Sequence, residues 1–193
     1  MQAGEPTLAT TSARNKRVLA LLAAIALAPV VVSYALYYFW PRDARANYGT
    51  LLATHPLAPI HGTRLDGTSF ASDDVAGRWL VVYAAPGGCP GACEDALYAT
   101  RQARTIQNAE RERIVRLWLV TDDARPARAL VAGHPDLAIV AVPREALAQL
   151  PQGGDAIYLV DPLGNFVLAW PSKPDIKAMA KDLARLLRAS SIG

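Results

Sequence analysis

The sequence predicts an α/β domain behind one amino-terminal apolar helix. Three observations carry this: strands alternate with helices from residue 79 onward, the run Val18–Trp40 carries no charge, and two cysteines stand together where a strand gives way to a helix. Alternation of this kind implies right-handed crossovers and a largely parallel sheet, with an antiparallel hairpin expected at one edge.

The chain has 193 residues, enough for one ordinary domain and an appendage. Its formal net charge of +3 is scattered along the chain. No basic face or stripe appears, which argues against a nucleic-acid partner. The 23 positions from Val18 to Trp40 suffice for a helix about 35 Å long, the thickness of a bilayer core. Tyr34, Tyr37, Tyr38, Phe39 and Trp40 crowd its end as an interfacial aromatic belt would. Pro29 lies mid-run and is tolerable there with a kink.

The rival is a cleaved leader ending at Ala26-Leu27-Ala28, but cleavage there leaves Pro29 to Trp40 as a new apolar terminus. An uncleaved anchor is therefore expected, with residues 1–17 cytoplasmic. Arg14, Lys16 and Arg17 before the span narrowly outweigh Arg42 and Arg45 after it.

Residues 41–60 hold Pro41, Pro56 and Pro59 with little periodicity and read as a tether; the domain proper is expected over 61–193. Asp66-Gly67 signals a first hairpin. A strand over Trp79–Ala84 leads through Pro86-Gly87-Gly88-Cys89-Pro90 into a helix whose apolar spacing runs to about Arg111. A second strand spans Ile114–Val120, after which Asp122-Asp123 is expected to cap a helix near Ala124. A third apolar run covers Leu137–Val142, with a short helix over Arg144–Leu150. Ala156–Val160 and Asn165–Trp170 flank the turn Asp161-Pro162-Leu163-Gly164 as a hairpin. Pro174–Arg188 reads as an amphipathic helix.

The only cysteines are Cys89 and Cys93, separated by Pro90-Gly91-Ala92. Four residues apart on a helix, they would share a face within reach of a disulfide. Pro90 suits a first helical position, which would place Cys89 at the positive end of the helix and favour its thiolate. Two such thiols can cycle between dithiol and disulfide, or hold a soft ion such as Cu(I). A static disulfide is the plainer alternative, but closing so small a loop removes little entropy from the unfolded chain. Two buried, inert cysteines conflict with a Pro-Gly-rich turn expected to hold them at the surface. Zinc would need third and fourth ligands that the neighbourhood lacks.

These residues resemble the Sco (SenC) copper chaperones of cytochrome c oxidase assembly. The resemblance runs over roughly residues 61–188. It rests on Leu65-Asp66-Gly67-Thr68, on Cys89-Pro90-Gly91-Ala92-Cys93 after the strand, on Val120-Thr121-Asp122-Asp123 with Arg125-Pro126, and on Tyr158-Leu159-Val160-Asp161-Pro162-Leu163-Gly164-Asn165-Phe166. It implies a thioredoxin-like fold and a membrane anchor in a bacterial inner membrane, with the domain in the periplasm. It also implies Cys89 and Cys93 as both redox-active and copper-ligating residues. The partner it implies is the copper-bearing oxidase subunit or another assembly factor.

Two departures stand out. The family's histidine ligand, a few residues before the tyrosine matching Tyr158, has no counterpart in Pro151-Gln152-Gly153-Gly154-Asp155-Ala156. Glu94 also stands where the family often has proline. His55 and His61 are expected in the tether and the first hairpin. His134 is expected at the sheet edge opposite the cysteines, and Asp122 and Asp123 at the cysteine edge. Asp155, nearest the missing ligand, is a poor donor for Cu(I). Without the histidine, thiol reduction gains weight over copper delivery. A general thiol–disulfide oxidoreductase and a non-catalytic assembly scaffold are the alternatives.

Overall fold

The computed structural model describes residues 9–39, 47–152, 156–190 and 192, with side chains from residue 15 onward. The chain divides after Ala46 into two units. In the first, helix α1 runs from Ala9 to Phe39 with Pro29 inside it. Its segment Asn15–Phe39 is long and apolar enough to cross a membrane, at a mean hydropathy of 2.4. Its large apolar side chains, Leu19 and Tyr38 among them, are exposed. Trp40, Arg42 and Arg45 lie outside the described residues.

The second unit is built on one eight-stranded sheet. The strands are β1 (Thr50–Leu51), β2 (His61–Arg64), β3 (Ser69–Ala71), β4 (Trp79–Ala85), β5 (Ile114–Val120), β6 (Leu137–Ala141), β7 (Ala156–Val160) and β8 (Phe166–Pro171). Their order in space is β1-β8-β7-β4-β5-β6-β2-β3. Three helices follow the strands: α2 (Ala92–Thr105), α3 (Arg128–Gly133) and α4 (Ile176–Ala189).

The expectation of a largely parallel sheet is corrected. Only β4–β5 and β5–β6 are parallel; the other pairings are antiparallel. The β7–β8 hairpin inserts beside central β4 instead of closing an edge, and the β2–β3 hairpin adds on past β6. Element order along the chain does not specify where a hairpin docks.

Alternation along β4 decides the core. Trp79, Val81, Tyr83 and Ala85 join one buried cluster with Ala96, Leu97, Met179 and Leu183 of α2 and α4. Leu80, Val82 and Ala84 join the other, with Ile60, Phe70 and Leu150. With both faces covered, β4 is buried throughout, which is why it reads as a continuous apolar run. Full burial of one such aliphatic side chain, Leu159 for example, stabilises the fold by about 2 kcal/mol.

Residues 47–60, expected within a tether, line the sheet instead. Thr50 and Leu51 pair with Ala169 and Leu168, and Pro56 bridges Asn165. The sequence hid this because two residues are too few to show a period. A buried carboxylate, Asp182, helps to hold the segment: it accepts the N–H groups of Tyr48 at 3.1 Å and Gly49 at 2.8 Å, and Trp170 Nε1–H at 3.0 Å.

Helix α2 ends at Thr105 rather than Arg111, because Asn108 takes a left-handed φ of 52° before a 3-10 turn over Asn108–Arg113. Helix α3 begins at Arg128, later than expected, and has no side-chain cap. The residue before Pro126 is held out of the helical region, and Asp122 is engaged elsewhere. The helix expected over Arg144–Leu150 is a 3-10 turn, Arg144–Leu147. Helix α4 is capped by Asp175, whose carboxylate accepts Ala178 N–H at 2.7 Å.

Candidate functional site: the cysteine loop

Strand β4 delivers the chain to the carboxy-terminal edge of the parallel strands, where Ala85 pairs with Val120. That end is pinned twice: Ala85 O accepts Trp118 Nε1–H at 3.1 Å and Thr121 N–H at 3.2 Å. The loop then turns, with Cys89 N–H donating to Pro86 O at 3.0 Å and Cys93 N–H to Pro90 O at 2.7 Å. Cys89 and Cys93 are joined as a disulfide with their Cα atoms 5.0 Å apart.

Three expectations about this pair are corrected. Helix α2 starts at Ala92 with Gly91 as its N-cap, so Pro90 precedes the helix instead of opening it. Cys89 lies outside the helix at a φ of 41°, a left-handed conformation that a helical residue cannot take, so the two cysteines do not share a helix face. With their sulfurs bonded, Cys93 in the first turn of α2 and Cys89 just ahead of it both lie at the amino-terminal end of that helix. The pair is also buried, not held at the surface. Cys89 is 1% and Cys93 4% exposed, packed into the same cluster as Ala85, Trp118 and Ile157. The surrounding backbone is what solvent meets, since Pro86, Gly88, Pro90 and Gly91 are exposed.

Asp122, expected to cap a helix, instead reaches the cysteine loop. Its Oδ1 accepts Gly87 N–H at 2.7 Å and Ala124 N–H at 3.2 Å. Gly87 lies so close to the Ala124 carbonyl that a Cβ would collide with it. From sequence, a polar contact of Asp122 or Asp123 near the thiols stands second to helix capping, and the partner, Gly87, is not indicated. The available signal was a Gly-Gly pair before the first cysteine, with an Asp just past the neighbouring parallel strand. A groove of about 810 Å³ opens on the far side of the clip, lined by Thr63, Arg64, Val120, Asp122, Ala124 and Arg125 among others.

The histidines fall elsewhere. His55 stacks on Phe166 with ring centroids 4.9 Å apart, and His61 is exposed on β2. His134 is buried three residues before β6, at the edge opposite the cysteines. Its Nδ1 is 3.4 Å from the Arg116 guanidinium. Burial, then Arg116, holds the His134 pKa below its ordinary value. Strand β7 begins at the cysteine edge, Ile157 pairing with Tyr83, but Asp155 just before it lies outside the described residues. Among the described residues no group of three or more His, Cys, Asp or Glu is placed to hold a metal ion.

A disulfide at the end of a central strand, followed at once by a helix packed on a mixed sheet, defines a thioredoxin-like protein. The chain belongs to the family described as the transmembrane-like, thioredoxin-like, C-terminal domain, whose model matches residues 79–190. No curated protein matches it in sequence. Among solved structures it is similar to yeast Sco1 with copper bound, at 19% identity and a TM-score of 0.60, over 69% of this chain and 92% of that one. Arabidopsis thaliana ScoI with copper bound is 19% identical with a TM-score of 0.59, over 70% of this chain and all of the other. BsSco, a Sco-family cytochrome c oxidase assembly protein in which a disulfide switch was identified, is 14% identical with a TM-score of 0.56, over 70% and 93%. At these identities the likeness is one of fold, and the fold is the one the sequence resemblance implied.

Proposed function

We propose that this chain is a membrane-anchored thiol-handling factor of Sco type, acting in cytochrome c oxidase assembly from the periplasmic side of a bacterial inner membrane. The observation that carries the proposal is the Cys89–Cys93 disulfide itself, formed across a turn at the carboxy-terminal edge of the sheet. The likeness to Sco structures supports the assembly role, and the apolar helix Asn15–Phe39 supports the anchor.

In the reduced state one thiolate, assigned to Cys89, attacks a disulfide in the copper-bearing subunit of the oxidase. A mixed disulfide forms and one client thiolate leaves. Cys93 thiolate then attacks the Cys89 sulfur, the mixed disulfide breaks with its bonding pair going to the second client thiolate, and the intramolecular disulfide re-forms, leaving the client reduced by two electrons in all. A separate membrane or periplasmic dithiol must reduce the pair for the next round. Because the sulfurs are buried, exchange requires the glycine-bearing loop at 86–91 to open.

Cu(I) cargo is the second reading, favoured by the copper-bound state of the yeast and Arabidopsis structures. Two thiolates suit Cu(I), and the missing histidine removes the third donor. An anaerobic Cu(I) titration of the reduced full chain in detergent micelles, beside Cys89→Ser/Cys93→Ser, separates the two readings. The thiol reading expects reduction of an oxidised copper-site peptide by the wild type alone, and copper retention too weak to survive a competing chelator. Tight one-to-one Cu(I) binding lost in the variant would move the assignment to delivery, and failure in both assays would leave only a scaffold.

A further inference from the structure

The segment 86–91 carries three glycines and two prolines and is long enough to sample many shapes once the sulfur–sulfur bond is cut. Cys89 and Cys93 provide one tie across it, and they are the tie that a reductant removes. Another tie joins this loop to the one after β5 through a single oxygen, Asp122 Oδ1, bonded to Gly87 N–H and Ala124 N–H. The two loops touch directly at the same place, where Gly87 leaves no room for a side chain against the Ala124 carbonyl. Upstream, Trp118 and Thr121 fix Ala85. The path from β4 to Cys89 is thus held up to Gly87, two residues short of the first cysteine, by contacts that do not involve sulfur.

We infer that Asp122 is a positioning residue for the Cys89–Cys93 couple: it keeps the reduced loop closed, so that the Cys89 thiol stays opposite Cys93 and ring closure is favoured. The inference rests on the redox reading of the pair. Its physical basis is loop entropy. Every conformation removed from the dithiol state raises the effective concentration of one thiol at the other and stabilises the disulfide. The carboxylate acts through oxygen geometry, so an amide oxygen at the same position serves equally.

The test is the equilibrium between the full chain in detergent micelles and dithiothreitol. In it the protein disulfide gains two electrons and two protons as dithiothreitol closes to its cyclic disulfide. Asp122→Ala is expected to shift this equilibrium about tenfold toward the protein dithiol, equivalent to about 30 mV for a two-electron couple. Asp122→Asn should stay within about twofold of wild type. Gly87→Ala, which forces the same two loops apart from the other side, should shift it in the same direction as Asp122→Ala.

A wild-type pair that titrates normally while Asp122→Ala and Gly87→Ala leave the equilibrium unchanged overturns the positioning role and leaves the redox reading standing. Equal shifts in the Ala and Asn variants also overturn it, by showing that the charge rather than the oxygen acts. A wild-type disulfide that no ratio of dithiothreitol reduces overturns both.

Discussion

Arg116, on central strand β5 and only 1% exposed, donates from Nη1 to Asp136 Oδ1 at 3.0 Å. Toward α2, Nη2 donates to Leu97 O at 2.7 Å and Nε to Thr100 Oγ1 at 3.1 Å, and Nη2 also lies 3.4 Å from His134 Nδ1. This cation binds α2, the helix carrying Cys93, to the sheet edge opposite the cysteines. Burial lowers its pKa to about 10 despite Asp136, so it remains charged at neutral pH.

Breaking that pair from one side strands a buried charge. Asp136→Ala should therefore cost about 3 kcal/mol, read from the urea midpoint of the full chain in micelles. Arg116→Met/Asp136→Leu should recover most of the loss, since a packed apolar pair is often as stable as a buried ionic one. A double variant worse than Asp136→Ala would contradict this account.

His134 makes the same network sensitive to pH. Its folded pKa is depressed below 6.5 by burial and by Arg116, so the folded state binds the proton less readily than the unfolded state. Stability is therefore full above about pH 6.5 and falls as pH drops below it, until the folded pKa is passed. Burial raises the Asp136 carboxyl, but the Arg116 charge and hydrogen bond, a backbone N–H and Arg104 together outweigh it, and the net lowering adds a second loss only as pH falls below about 3.8. His134→Gln should flatten the pH dependence just below about 6.5. Unchanged curvature in that window would assign it to another group.

Asp182 is the buried acid that joins α4 to β8 and to residues 48–49. Asp182→Ala leaves three N–H donors unsatisfied and should cost about 3 kcal/mol. It should also release residues 47–51 from β8, read as new proteolytic cleavage there before global unfolding. Loss of stability without that cleavage would show that Asp182 serves α4 and Trp170 alone.

The disulfide closes a very small loop. Cys89→Ser/Cys93→Ser should lower stability by only about 2 kcal/mol relative to the oxidised wild type. A loss well above that in urea unfolding would make the bridge chiefly structural, against the redox reading.

The elements with strong local patterns were legible without coordinates. Strand β5 spans Ile114–Val120 as its apolar run indicates, and the Asp161–Gly164 turn joins β7 to β8 with Gly164 at a φ of 85°. The cysteine spacing and the order of motifs likewise led to a thioredoxin-like domain, and the family match and solved folds agree on that fold.

What sequence alone determined was local: periods of two and 3.6, turn residues, an apolar run long enough to span a membrane, and two thiols near enough to bond. What only the tertiary structure decided was which distant parts meet. It placed the β7–β8 hairpin against β4, turned the cysteines inward, moved the start of α2 past Cys89, and brought Asp122 to Gly87 across 35 residues. Periodicity reports the face a residue presents within its own element. Contacts between elements depend on how the sheet is ordered and covered, and no local pattern encodes that.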